Sequence, residues 1–277
     1  MESAIAVAVR LRYQPVAILW TDEKPEGALQ LKEGKWGCVM WLLAAAARGK
    51  TVVFDRKTYG CWGGGVGLGF GNTYRKFPGG LECFYHFISS GNEGWERGKR
   101  IGKKIGGFVQ GELLDDFTHG ERYIKSPDLV KEYLASMPMI DIPAAYVVFK
   151  PLDRVAIVKE TPVVVVFLVN PDQLSALVVL ANYAREGNEH VAIPFSAGCQ
   201  TIGILVYREA RAEKQRAIIG LTDLSARKYL RKLGKDLMTF TVPFKMFQEM
   251  EANVEGSFLR RETWKTLLEE DNKEDKR

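Results

Sequence analysis

Apolar residues along the chain fall into short runs separated by turn-forming residues. The lengths of those runs predict alternating strands and helices. Pro15–Trp20, Thr51–Phe54, Tyr146–Phe149, Val163–Phe167, Val191–Ile193, Ala217–Ile219 and Thr239–Val242 have strand length and strand composition. Between them, Gly37–Ala47, Leu81–Ser89, Glu93–Lys104, Ser126–Ala135, Gln173–Arg185 and Pro243–Glu251 read as helices, and Thr222–Lys228 fits a capped helix start. Ser126-Pro127 and Asn170-Pro-Asp supply N-caps with proline in the first turn. Strand, Asn-Pro and helix follow one another between Val163 and Arg185 as in a βα unit.

This order predicts an α/β fold, with a mostly parallel or mixed sheet flanked by helices and a glycine-rich loop at strand exits. No flexible linker divides the chain. Residues 1–268 are therefore expected to form one α/β domain, with two lobes meeting near Ile142 as the alternative. The charged stretch 269–277 is expected to be a disordered tail.

Composition narrows the class. Hydrophobic residues make up 46% of the 277 and charged residues 26%, as in ordinary globular proteins. The 39 basic residues exceed the 34 acidic ones only modestly, for a net charge of +5. The densest basic stretch, Arg97 to Lys104, reads as a solvated helix face, and no nucleic-acid partner is expected. No basic segment precedes the short apolar run at the N-terminus, and no stretch approaches the roughly 18 apolar residues of a membrane span. A cytoplasmic location without a membrane partner follows as an expectation, and in that compartment thiols stay reduced.

Candidate chemistry concentrates in two features. Tyr59 to Asn72 contains seven glycines in fourteen residues. It matches neither the dinucleotide fingerprint nor the phosphate-loop motif. Read as a loop, it would turn backbone N–H groups of Gly63, Gly64, Gly65 and Gly67 toward a ligand. The second feature is the set of cysteines, Cys38, Cys61, Cys83 and Cys199. Each falls at a loop or helix start on a strand exit, and in an open α/β sheet such places line the ligand crevice. Cys38 sits where a helix dipole favours a thiolate.

Four such thiols suit one soft metal centre, an iron–sulfur cluster before zinc, because no C-x-x-C knuckle is present. Buried, unrelated thiols remain the plain alternative. No His-based metal motif or serine nucleophile elbow occurs, and His190 beside a strand reads as structural. Among the carboxylates Asp55, Glu82 and Asp223, Glu82 beside Cys83 is the first candidate to face a ligand.

Pro15-Val-Ala-Ile, Cys38 opening a helix, Gly60-Cys-Trp-Gly-Gly-Gly-Val-Gly-Leu-Gly, Val169-Asn-Pro-Asp-Gln and Ala197-Gly-Cys199 occur in that order. Together they resemble the prokaryotic family called domain of unknown function 169, over nearly the whole chain from Ala4 to Leu268. The resemblance places Cys38, Cys61 and Cys199 on family positions. The Phe77-Pro-Gly-Gly-Leu-Glu-Cys83 segment resembles one branch of it. Family members are frequent in anaerobes, which favours an oxygen-sensitive cluster and names no substrate. The leading expectation is thus a cysteine-ligated iron–sulfur protein with a small molecule or a redox partner. A metal-free thiol enzyme using Cys61 and a non-enzymatic small-anion binder are the alternatives.

Overall fold

The computed structural model describes residues 1–231 and 233–274. The chain opens with α1 (Ala4–Ala8), β1 (Val16–Thr21), α2 (Val39–Ala47), β2 (Val52–Phe54) and α3 (Trp62–Leu68). Four helices follow: α4 (Gly80–Ile88), α5 (Glu96–Ile105), α6 (Glu112–His119) and α7 (Pro127–Ser136). Then come β3 (Tyr146–Pro151), β4 (Val164–Val169), α8 (Pro171–Asn182), β5 (Val191–Ala192), α9 (Gly198–Thr201) and α10 (Ile204–Ala210). The chain closes with β6 (Ala217–Gly220), α11 (Leu224–Leu230), β7 (Met238–Pro243), α12 (Phe244–Asn253) and α13 (Glu262–Glu274). The expected charged tail is helical from 269 to Glu274, and 275–277 lie outside the described residues.

Two compact units result. Met1–Phe70 and Asp141–Arg277 form the first, and Gly71–Ile140 form the second. The boundary at Ile140 falls beside the lobe junction expected near Ile142, but the chain returns to the first unit afterwards, so the second is an insertion.

The first unit is built on an open seven-stranded sheet in the order β2-β3-β1-β4-β7-β6-β5. The sheet is mixed: β5 and β6 run parallel and every other pairing is antiparallel. Local strand–helix alternation does not fix strand direction when the crossovers skip strands. Helix α8 leaves central β4 for the edge strand β5, and the neighbours of β4 are β1 and β7.

All six residues of β4 are buried, because helices cover both faces of the sheet. Val165, Phe167 and Val169 point to one face, where Leu177 of α8 and Phe247 of α12 complete a continuous core. Val164, Val166 and Leu168 alternate to the other face. Trp20 of β1 shares that second face, and its ring meets Tyr207 of α10 edge-on at 4.9 Å.

The second unit is helical, around an aromatic cluster in which Phe77 packs against Phe84, Phe87 and Phe117. Buried Asn92 donates to the carbonyls of Cys83 and Phe117, joining α4 to α6. The basic face of α5 is exposed at Lys99, Arg100, Lys103 and Lys104, as expected.

Candidate functional site: a three-thiol set at converging helix starts

Three of the four cysteines lie in the first unit, each at the beginning of a helix. Cys38 is the N-cap of α2. Cys61 is the N-cap of α3, and its sulfur accepts from the Gly64 N–H at 3.3 Å. Cys199 lies in the first turn of α9, where its thiol donates to the Gly63 carbonyl oxygen at 3.1 Å. Asp223, the N-cap of α11, accepts from the backbone N–H of Ala226 and, across the site, from that of Gly198.

These helices approach closely because glycine removes the side chains between them. A Cβ on Gly67 of α3 would stand 2.7 Å from the Cys199 backbone. Gly60, at φ +82°, lets the chain turn under the Gly37 carbonyl, which accepts from the Cys61 N–H at 3.1 Å. The expected glycine loop is therefore a helix over Trp62–Leu68. Glycine is a poor helix former, so the sequence argues for a loop; close helix contact overrides that propensity here. The consequence for the four glycines is specific. The N–H groups of Gly64 and Gly65 are spent on Cys61, and Gly63 contributes its carbonyl oxygen to Cys199. Gly67 supplies space.

The electrostatics differ from the expectation at Cys38. A helix start was expected to favour its thiolate, but its pKa is pushed up to about 12. Burial is the largest cause, and the charges of Cys61 and Asp223 add to it, outweighing the N–H groups of Met40 and Trp41. Cys199 is raised well above the ordinary thiol value by burial, then by Cys61, Cys38 and Asp223. Burial also raises the Asp223 carboxyl, against the two backbone N–H groups it accepts from. The groups acting on the two thiols are thus other thiols and a carboxylate, with no cation among them. Among the described residues, no group of three or more His, Cys, Asp or Glu side chains is arranged to hold a metal ion.

The remaining candidates have other work. Cys83 belongs to the second unit, buried in α4 beside Gly79, with its pKa raised by burial, which with Glu82 outweighs the lowering by Arg97. Glu82 pairs with Arg97 at 2.9 Å. Asp55 closes a turn by accepting from the Lys57 N–H and the Thr58 hydroxyl. His190 bonds the Glu186 carbonyl, a structural contact. Asp223, placed behind Glu82 by sequence reasoning, is the carboxylate whose charge acts on Cys38 and Cys199. Its signal was the Thr-Asp-Leu-Ser cap, which fixes a carboxylate at a helix start without showing what faces it.

The fold and site define an α/β protein with three thiols gathered at helix starts, Cys199 buried and Cys38 and Cys61 half-buried. The chain belongs to the family named DUF169 and described as "Uncharacterised ArCR", whose model matches residues 4–253. No curated protein and no solved structure matches the chain. No helix among the described residues is long and apolar enough to cross a membrane.

Proposed function

We propose that Cys38, Cys61 and Cys199 are the protein ligands of an iron–sulfur cluster. The observation that carries this reading is the convergence of the three cysteines: the Cys199 thiol donates to the carbonyl of Gly63, two residues past Cys61, and the Cys61 N–H donates to the carbonyl of Gly37, next to Cys38. Burial raises Cys38 and Cys199, and the neighbouring sulfurs and Asp223 add to it. Thiols raised in this way keep their protons until a soft cation displaces them, which is the chemistry of metal loading at thiolates. A metal-free nucleophile needs the opposite, a cation or base that lowers a thiol pKa.

The donor chemistry fits iron–sulfur better than zinc. Four zinc ligands crowd one ion, whereas cluster thiolates stand around a larger sulfide-bridged core. Cys83 is left out because its charged neighbours are Arg97 and Glu82 of its own unit. When bound, the cluster would be held by Cys38, Cys61 and Cys199 and would supply one-electron chemistry. The chain's own residues hold the three sulfurs at helix starts, with Cys199 buried, and keep the Asp223 carboxyl beside Cys38 and Cys199.

The test is iron, sulfide and zinc analysis of protein purified without oxygen, with its visible spectrum. Iron and sulfide in stoichiometric amounts support the reading. Protein without iron or sulfide after anaerobic reconstitution overturns it and turns attention to metal-free chemistry at Cys61.

A further inference from the structure

A cleft of about 970 Å³ in the first unit is lined by four arginines, Arg10, Arg12, Arg48 and Arg154. Arg10 and Arg12 precede β1, Arg48 ends α2 and Arg154 follows β3. Glu2 and Asp153 also line it, so four positive charges face two negative ones. Among the described residues none of the four arginines pairs with a carboxylate, while Arg56, Arg97, Arg185, Arg216 and Arg260 each do.

The cleft is held in shape from beneath. Arg10 adopts the left-handed conformation at φ 50°, which is strained for a residue with a side chain. The side-chain amide of buried Gln173 secures that turn by donating to the carbonyls of Val9 and Arg10, at 3.0 and 3.2 Å. Gln173 is fixed in turn by a capping box with Asn170. The Asn170-Pro-Asp-Gln173 element therefore serves this cleft. The Arg10 guanidinium is anchored on the Leu268 carbonyl, and the Gln14 N–H ties the segment to Ala47 at the end of α2.

We propose that this cleft binds a small molecule carrying a phosphate or pyrophosphate group. Guanidinium groups match phosphate oxygens with paired donors, and a concave site gathers their field. The volume is that of a small-molecule site. Nucleic-acid backbone shares the chemistry, but its footprint is a stripe along a surface, whereas these charges are confined to one cleft.

Inorganic pyrophosphate titrated into the full-length protein at low salt, read by calorimetry, tests the proposal. Saturable binding is expected. It should weaken about tenfold or more in Arg48→Ala/Arg154→Ala and recover in part in Arg48→Lys/Arg154→Lys. Equal melting temperatures of the three proteins without ligand show that the substituted side chains act on binding. Absence of binding, or unchanged binding in the alanine variant, overturns the proposal. So does a labelled single-stranded RNA that binds the wild type tightly where pyrophosphate binds not at all, and that loses binding in Arg48→Ala/Arg154→Ala, which would assign the cleft to nucleic acid.

Discussion

Gly203 lies so close to the Gly67 carbonyl that a Cβ on Gly203 would stand 1.9 Å from that oxygen. This contact brings the chain before α10 directly onto α3, and Cys199 and Gly63 meet beside it. Backbone cannot yield as a flexible side chain does. Gly203→Ala should therefore cost about 3 kcal/mol or more, beyond the usual range for an added methyl group. Gly94 is the control: a Cβ there would meet nothing within 4 Å, and Gly94→Ala should leave stability nearly unchanged. Urea midpoints of the two variants decide this.

The raised Cys38 pKa has a consequence for alkaline stability. Its folded value of about 12 exceeds its ordinary 9.0, so the stabilising contribution is complete below pH 9 and is lost as pH rises toward 12. Over that interval the loss from this group amounts to about 4 kcal/mol in metal-free protein. Cys38→Ala should show a shallower decline of stability above pH 9 than the wild type. Chemical denaturation at successive pH values measures it. Iodoacetamide labelling of Cys38 should likewise keep rising with pH through pH 10 without a plateau.

Asp223→Asn removes a negative charge that raises both Cys38 and Cys199. The two thiols should then ionise more readily and react faster with a thiol reagent at pH 8. Asn keeps an acceptor for only one of the two N–H groups that use separate carboxylate oxygens, so the gain in reactivity should come with a loss of stability of about 1 kcal/mol or more. Asp223→Ala loses both acceptors and should cost more. Labelling rates resolved by mass spectrometry, with the melting temperature of each variant, separate the two effects.

Thr241 is fully buried on β7, and its hydroxyl has no hydrogen-bond partner among the described residues. An unsatisfied buried hydroxyl costs free energy that a methyl group of the same shape does not. Thr241→Val should leave the protein equally stable or stabilise it by about 1 kcal/mol. A lower melting temperature would show that the hydroxyl has a partner after all.

The strands were legible because sheets covered on both faces write themselves as unbroken apolar runs. All of Val164–Val169 is buried, and its limits differ little from the expected ones. Strand direction was not legible, since Asn170-Pro-Asp announces a helix but not which edge the chain seeks next. Helix α1 is only five residues long, and its stability comes from afar: Glu251 accepts from the Ser3 hydroxyl and the Ala4 N–H. Residues so far apart in sequence give no local sign of that partnership.

At the site, sequence placed Cys38, Cys61 and Cys199 at helix starts, and that reading holds. It missed that burial defeats the helix dipole at Cys38. It also took the glycines for donors to a ligand. Glycine's two uses, an exposed backbone and a close approach, produce the same sequence and differ only in what packs opposite. Here Cys199 packs opposite Gly67.

The most direct measurement is anaerobic reconstitution of wild type and of each single Cys→Ser variant with iron and sulfide, followed by metal and sulfide analysis. A coloured, iron-loaded wild type is expected, with loss of loading in Cys38→Ser, Cys61→Ser and Cys199→Ser and full loading in Cys83→Ser. A wild type that takes up neither iron nor sulfide, or variants at the three sites that load as well as it does, would contradict the proposed cluster.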